Sequence, residues 1–216
     1  EVVIATSNGG VKIQDNYPAA IELFQNVEGN ARSLPMDNVS AICEDKSDNY
    51  WVGTFGGGLS YFDLQTKQFK LFPAFKDKTV NCLYIDKQDF LWVGTLENGL
   101  VKYDPKNARF TYFKNNPEDI HSINSNLVTT VVGVDNGLWV GTDQGMNFLN
   151  IEKEKFTHID SAEYKNKNIE LGKINAGLID YTYKCGVATE TGLFSFDEYK
   201  NKFMPYDKRN ISKDSN

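Results

Sequence analysis

Tyr50-Trp51-Val52-Gly53-Thr54 returns as Leu91-Trp92-Val93-Gly94-Thr95 and again as Leu138-Trp139-Val140-Gly141-Thr142. Cys185-Gly186-Val187-Ala188-Thr189 is a weaker copy, and Val2-Val3-Ile4-Ala5-Thr6 opens the chain as a fifth. The Trp position is held in turn by Val3, Trp51, Trp92, Trp139 and Gly186, spaced 41 to 48 residues apart. A period of that size belongs to propellers and other repeat arrays.

The register extends well away from the Trp. Twelve residues upstream stand Val39, Val80, Leu127 and Ile174, and ten upstream stand the small residues Ala41, Cys82, Thr129 and Ala176. Six upstream stand Asp45, Asp86, Gly133 and Asp180. Downstream, past a Gly-bearing turn, come Val11, Leu59, Leu100, Met146 and Leu193, then Asp15, Asp63, Asp104, Asn150 and Asp197. An apolar pair such as Phe69/Phe72 or Phe110/Phe113 closes each unit.

Each unit therefore reads as four short strands. In the second copy strand a runs from Val39 to Glu44, b from Tyr50 to Thr54, c from Leu59 to Asp63 and d from Gln68 to Phe72. The strands are β-branched and aromatic, and the breaks carry Gly, Asn, Asp or Pro. A four-stranded antiparallel unit of about 45 residues, stacked face to face, is a β-propeller blade. The expected fold is all-β, a propeller of about five blades within a longer ring. Residues 1–32 form an incomplete blade of strands b to d, followed by blades at 33–76, 77–119, 120–165 and 166–216. Small residues suit the crowded innermost strand a, and the Trp of strand b fills the gap between sheets. At Gly186 that space is expected to be filled by Tyr181 or Tyr183. Asn115 to Asn126 reads as a loop between blades, and Asp207 to Asn216 resembles another such loop.

Hydrophobic residues make up 40% and charged residues 24%, a globular balance. The net charge of −6, with no basic stripe, argues against nucleic acid and anionic membrane surfaces. No apolar run approaches the roughly 20 residues that span a bilayer. No signal peptide is visible and residue 1 already lies in a repeat, so a processed or trimmed amino end is expected. Cys43, Cys82 and Cys185 are too few and too scattered for a disulfide framework or zinc site. They read as core or strand residues, with a Cys43–Cys82 bridge as the minor alternative.

Several residue sets invite a chemical reading. The Asp six before each Trp opens a tight turn, where its carboxylate accepts backbone N–H groups, and the later Asp set does the same at the c–d turn. The Trp residues lie at strand centres and read as core, not as sugar platforms. His121 lies in a long connector and His158 in strand d, too few for a multi-histidine metal site. The b–c loops are short, polar and unlike one another: Ser7-Asn8, Phe55-Gly56, Leu96-Glu97-Asn98, Asp143-Gln144 and Glu190-Thr191. A repeated frame with varied loops is how function is grafted onto repeat folds. The candidate ligand-binding residues are Phe55, Glu97, Asn98, Asp143, Gln144 and Glu190. Phe55 is placed to stack on a sugar ring and the others to bond hydroxyls. Glu97, Asp143 and Glu190 keep a glycosidase open as an alternative.

The pattern Val-x-x-Ile-x-x-Asp-x-x-(Asn/Asp)-x-(Leu/Tyr)-Trp-Val-Gly-Thr-x-x-Gly-Gly-Leu, best seen in Val39 to Leu59 and Val80 to Leu100, resembles the two-component-regulator propeller repeat. The Asn115 to Asn126 loop resembles that family's connector between blades. The resemblance implies seven-bladed propellers in periplasmic sensors of hybrid two-component systems of Bacteroidetes type. Such sensors detect oligosaccharides and signal across a dimer, through a membrane helix, to a histidine kinase. The expectation is a non-enzymatic, periplasmic, ligand-sensing fragment with no catalytic residue, metal or cofactor. Its implied partners are an oligosaccharide, a second copy, further blades and a membrane-linked kinase; nucleic acid is not among them. Propeller lyases acting on cyclic peptide antibiotics look similar, and on that alternative His121 is the residue to test. A scaffold for dimerisation is the third reading.

Overall fold

The alternation of β-branched and aromatic residues with Gly- and Asp-bearing breaks produces antiparallel meanders throughout. The structure, a computed structural model, describes residues 2–14, 21–164, 167–180 and 184–206. Asp15, Tyr181, Tyr183 and the 207–216 loop therefore lie outside the described residues. Blade one is β1 (Val2–Thr6), β2 (Gly10–Gln14) and β3 (Ile21–Phe24). Blade two is β4 (Val39–Glu44), β5 (Tyr50–Thr54), β6 (Gly58–Asp63) and β7 (Gln68–Leu71), followed by a 3-10 turn at Pro73–Phe75. Blade three is β8 (Val80–Ile85), β9 (Leu91–Thr95), β10 (Leu100–Asp104) and β11 (Arg109–Phe113). Blade four is β12 (Val128–Val134), β13 (Gly137–Thr142), β14 (Gly145–Asn150) and β15 (Lys155–Ile159). In blade five a hairpin of β16 (Ser161–Tyr164) and β17 (Lys167–Glu170) adds to β18 (Ile174–Ile179), β19 (Cys185–Thr189), β20 (Leu193–Asp197) and β21 (Lys202–Pro205). Blades one to three lie in one compact unit, Glu1–Phe113, and blades four and five in another, Lys114–Asn216.

The hairpin was not foreseen. Its β16 runs parallel to β21 and meets it at Ala162 and Phe203, both fully buried. It extends blade five's sheet to six strands, and it spans the 165/166 division read from the repeats.

The repeat's apolar residues do what the pattern requires. Trp51, Trp92 and Trp139 are all buried. In the first unit Trp51 packs against Tyr61 and Phe72 of its own blade and Tyr103 of the next, with ring centroids 4.9 to 5.5 Å apart. In the second unit Trp139 packs against Phe148 of its own blade and Phe196 and Phe203 of the next. The Gly two residues after the Trp is there because the next blade leaves no room. A Cβ on Gly53 would lie 2.5 Å from Val80 Cγ1, and one on Gly141 would lie 2.7 Å from Ile174 Cγ2. Strand a carries the same β-bulge in four blades, between Val39 and Ala41, Val80 and Cys82, Val128 and Thr130, and Ile174 and Ala176. A bulge re-aims the residue it inserts. In blade two that residue is Ser40, whose hydroxyl donates to the Val80 carbonyl of the next blade.

One alignment needs correction. Gly133, matched above to the turn-opening Asp45 and Asp86, lies inside β12 and pairs with Leu138. Blade four turns from strand a to b through Asp135-Asn136 alone, since Val134 pairs with Gly137. Blades two and three use five-residue turns, with Glu44 paired to Tyr50 and Ile85 to Leu91. The shorter turn moves the equivalent position back into the strand. The three cysteines are free thiols, Cys185 buried and Cys43 and Cys82 half-buried.

Candidate functional site

The candidate loops are framed by one device repeated five times. The Thr that ends strand b donates its hydroxyl across the b–c loop to a Gly carbonyl. The pairs are Thr6–Gly10 at 2.8 Å, Thr54–Gly58 at 3.1 Å, Thr95–Gly99 at 2.9 Å, Thr142–Gly145 at 3.1 Å and Thr189–Gly192 at 3.3 Å. In three copies the same hydroxyl also accepts an N–H from the loop: Asn98, Gln144, and both Thr191 and Gly192. All five glycines have φ between +72° and +148°, a region that L side chains rarely adopt. Thr and Gly thus fix the loop's ends and leave the residues between them free to vary. The Thr survives even where the Trp is lost, at Thr6 and Thr189. That signal was in the sequence but was read only as the end of a strand.

In the first unit Phe55, Glu97 and Asn98 sit in adjoining loops. The Gly56 N–H donates to Thr79 Oγ1 at 3.1 Å and the Leu96 N–H to the Thr79 carbonyl at 3.2 Å, so one residue ties the two loops together. The Phe55 N–H donates to the Asn38 carbonyl. Phe55 is 54% exposed, and Met36, 46% exposed, lies against Gly57. Glu97 is exposed and Asn98 half-buried.

In the second unit Asp143 and Gln144 are held by Asn124. Its amide donates to the Gln144 carbonyl at 3.1 Å, and its Oδ1 accepts from Asn147 Nδ2 at 2.8 Å and shares the Thr142 hydroxyl proton, 2.8 Å away, with the Gly145 carbonyl. Asp143 is half-buried, and its Oδ1 has no hydrogen-bond partner among the described residues. Gln144 and Glu190 are exposed.

The connectors form a second repeated device. Asn115 donates its amide to Ile123 O and its N–H to Asn126 Oδ1, while Ser122 Oγ bridges Asn116. The same bonds recur in the loop before blade two: Asn26 to Leu34 O and Asp37 Oδ1, with Ser33 bridging Val27. Leu34 and Ile123 are both fully buried as plugs. Each connector then gives one backbone carbonyl to strand d of the following blade, Arg32 to Phe69 and His121 to Phe156. His121 is thus placed by its backbone, and its side chain is exposed. His158 Nε2 lies 2.6 Å from the Ser122 carbonyl, which gives it a connector-fastening role.

The acidic repeat positions close turns. Asp45 Oδ1 accepts from Ser47 and Asn49, and Asp86 Oδ1 from Gln88 and Phe90. Asp86 Oδ2 also takes the Trp92 indole N–H at 2.8 Å. The c–d set caps turns at Asp63, Asp104, Asn150 and Asp197. The Thr66 N–H holds the Asp63 carboxyl below the usual carboxylate range, and the Asn107 side chain does so for Asp104. Among the described residues no group of three or more His, Cys, Asp or Glu side chains is arranged to hold a metal ion. No helix among them is long and apolar enough to cross a membrane.

A cleft opens at the other end of the strands, between the a–b turns of blades two and three. This cleft of about 350 Å³ is lined by Trp51, Tyr61, Phe72 and Tyr103, with Asp45 and Lys46 at its lip. Its residues come from five separated segments, so no local pattern announces it.

Two segments, 33–56 and 74–97, match the family model described as two component regulator propeller. Each runs from the end of a connector through strands a and b to the tip of a b–c loop. No curated protein matches the sequence. Among solved structures the chain is similar to the extracellular domain of a putative hybrid two component system from B. thetaiotaomicron. The identity is 22% and the TM-score 0.53, with 76% of this chain and 29% of that one covered. It is similar to PorZ, a surface component of the type-IX secretion system of Porphyromonas gingivalis. There the identity is 16% and the TM-score 0.70, over 97% of this chain and 32% of that one. It is also similar to virginiamycin B lyase from Staphylococcus aureus, at 11% identity and a TM-score of 0.65, covering 94% and 64%. The chain spans about a third of the length of the first two structures. The fold is that of a β-propeller, and blades two and three carry the two component regulator propeller repeat.

Proposed function

We propose that the chain is the ligand-sensing part of an extracytoplasmic two-component sensor, and that its b–c loops bind an oligosaccharide. One observation carries this reading: the Thr–Gly clamp is kept in all five blades while the residues inside it differ and are largely exposed. Packing has no use for such variation at loop tips, whereas recognition does. In the first unit the exposed Phe55 ring offers an apolar face, and Glu97 and Asn98 in the adjoining loop offer polar groups for hydroxyls. In the second unit Asp143, Gln144 and Glu190 offer only polar groups. A histidine kinase in the parent protein, a second copy as partner and a periplasmic location belong to the same reading.

The test is thermal denaturation across a panel of neutral and acidic oligosaccharides. A ligand present at about 100 times its Kd adds roughly 2.7 kcal/mol. The expected result is a selective rise in Tm that Phe55→Ala or Glu97→Gln reduces. A folded protein that responds to no glycan, alone and within the full-length sensor, refutes it.

The scaffold reading is supported by the face of blade five. Leu193 is 60% exposed and Leu178 57% exposed, although Leu59 and Met146, at the place of Leu193 in blades two and four, are fully buried under the next blade. That face suits a further blade. Variants of the loop tips separate the two readings, since a scaffold keeps its assembly when they are changed.

A further inference from the structure

We propose that Asn8, in the b–c loop of blade one, is a site of spontaneous deamidation, a slow one-way change that puts a carboxylate into that loop. Asn followed by Gly occurs three times in the chain, at Asn8-Gly9, Asn98-Gly99 and Asn136-Gly137. The reaction open to each is the same. The Gly nitrogen gives its proton to solvent and attacks the Asn Cγ, and the side-chain amide nitrogen leaves as ammonia. The new C–N bond closes a five-membered succinimide. Water then adds to one of its two carbonyls and reopens the ring, as aspartate or as isoaspartate. Gly suits the attack because it has no Cβ to crowd its nitrogen. The attack also needs a Gly nitrogen that can leave its place.

The fold ties down two of the three pairs and leaves one untied. Asn136 is exposed, but Gly137 is buried and closes the two-residue hairpin against Val134, with Asn150 on its other side. The closing pair of such a hairpin exchanges both N–H···O bonds, so the Gly137 nitrogen is committed to the ladder. Packing fixes it as well, since a Cβ there would lie 2.3 Å from the Leu149 carbonyl oxygen. Asn98 is half-buried and Gly99 buried. The Asn98 N–H donates to Thr95 Oγ1 at 2.9 Å, and the Gly99 carbonyl accepts from the Thr95 N–H, at 3.2 Å, and from Thr95 Oγ1. The peptide groups on both sides of that attacking nitrogen are therefore held. Asn8 is exposed and Gly9 half-buried. Among the described residues neither the Asn8 side chain nor the Gly9 N–H has a hydrogen-bond partner. The clamp in this blade runs from Thr6 to Gly10 and passes the Asn8–Gly9 peptide by. Beyond its chain neighbours, only the Thr6 side chain comes within 4 Å of a Cβ built on Gly9. The product changes the loop. Aspartate adds a negative charge to a chain whose net charge is already −6. Isoaspartate runs the main chain through the side-chain carbon and so lengthens the stretch between Thr6 and Gly10, whose clamp closes at 2.8 Å. The inference does not depend on what the b–c loops bind.

The test incubates the folded protein at mildly alkaline pH beside the same protein in guanidinium chloride, and follows the three Asn-Gly peptides by mass spectrometry of digests. Unfolded, the three sites are expected to convert at similar rates, because each has the same Gly beside it. Folded, Asn8 is expected to keep most of that rate, while Asn98 and Asn136 slow by about tenfold or more, the cost of opening one or two hydrogen bonds. Ion exchange of the aged folded protein is expected to show a main acidic species that Asn8→Gln removes, since the extra methylene disfavours ring closure. Gly9→Ala, which crowds the attacking nitrogen, is the second variant and is expected to slow conversion at Asn8. The proposal is overturned if folding slows Asn8 as much as Asn136, if Asn98 converts as fast as Asn8 in the folded protein, or if the acidic species survives Asn8→Gln.

Discussion

Gly53→Ala probes how one blade seats on the next. The added methyl would lie 2.5 Å from Val80 Cγ1 and 2.9 Å from Val80 Cβ, against an optimum of about 3.5–4.0 Å between carbons. The Ala41 Cβ, 3.5 Å away, is the third neighbour of the new methyl. Val80 is fully buried, so β8 must shift as a unit. Overpacking of this kind costs about 1–3 kcal/mol. At roughly 2–4 °C per kcal/mol for a chain of this size, the loss is about 2–12 °C in Tm. Val80→Ala destabilises on its own by leaving a cavity. In the double variant, however, that cavity receives the new methyl. Urea denaturation of the four proteins is expected to give a double variant more stable than additivity predicts by about 1–2 kcal/mol, within the range for residues in contact. Strict additivity, or a neutral Gly53→Ala, would refute the claim that close approach of the next blade explains this glycine.

The connectors should respond alike to loss of their asparagine. Asn26→Ala and Asn115→Ala each leave a carbonyl, Leu34 or Ile123, with only a long contact from the preceding Ser hydroxyl, and each should cost about 1–3 kcal/mol in chemical denaturation; a marked disagreement between them would break the equivalence. Alkaline pH should destabilise the fold. Burial, and then the Asp45 carboxylate, push Tyr61 up from 10.0 to about 12, and burial pushes Cys82 and Cys185 up from 9.0 to about 12. Because the folded values are raised, these groups contribute their full stability below the unfolded pKa and lose it as pH climbs through the folded one. Denaturation midpoints should therefore start to fall near pH 9 and fall faster above pH 10, with a shallower second fall in Tyr61→Phe.

Strand positions could be read from the sequence because the repeat fixes them several times over. The a, b, c and d strands of blade two fall within a residue of where the pattern puts them. Trp burial and the turn-closing role of Asp45, Asp86 and Asp104 followed from the same spacing. What escaped was whatever a single copy does differently. The connector at 26–37 keeps Asn26, Asn30, Ser33, Leu34 and Asp37 of the framework around Asn115, and bonds made through backbone leave little trace in sequence. The hairpin at Ser161–Glu170 is rich in Lys, Asn and Glu, and its place in the sheet comes from a parallel contact with β21 that no local pattern encodes. Gly133 was misaligned because counting back from the Trp assumes equal turns, although Asp135-Asn136 is itself a tight-hairpin signal.

A repeat protein carries its own controls, and these separate packing from function better than residue type does. Trp51 and Trp139 are buried, and their recurrence already says that they serve the frame and not a sugar. The same holds for the clamping Thr and the turn Asp, which bond the same backbone groups wherever they recur. Functional weight falls on departures from the repeat that packing cannot explain. Phe55 is an exposed ring within a clamp that elsewhere holds polar residues or Leu96. Tyr61 and Tyr103 stand where the other interface has Phe148 and Phe196, and the Tyr61 hydroxyl is used on Asp45 of its own blade. If packing were the reason for those hydroxyls, Phe148→Tyr and Tyr61→Phe would be equivalent exchanges. The geometry makes them unequal, because Tyr61 finds Asp45 in a five-residue turn, while Phe148 lies in a blade whose a–b turn is shortened to Asp135-Asn136.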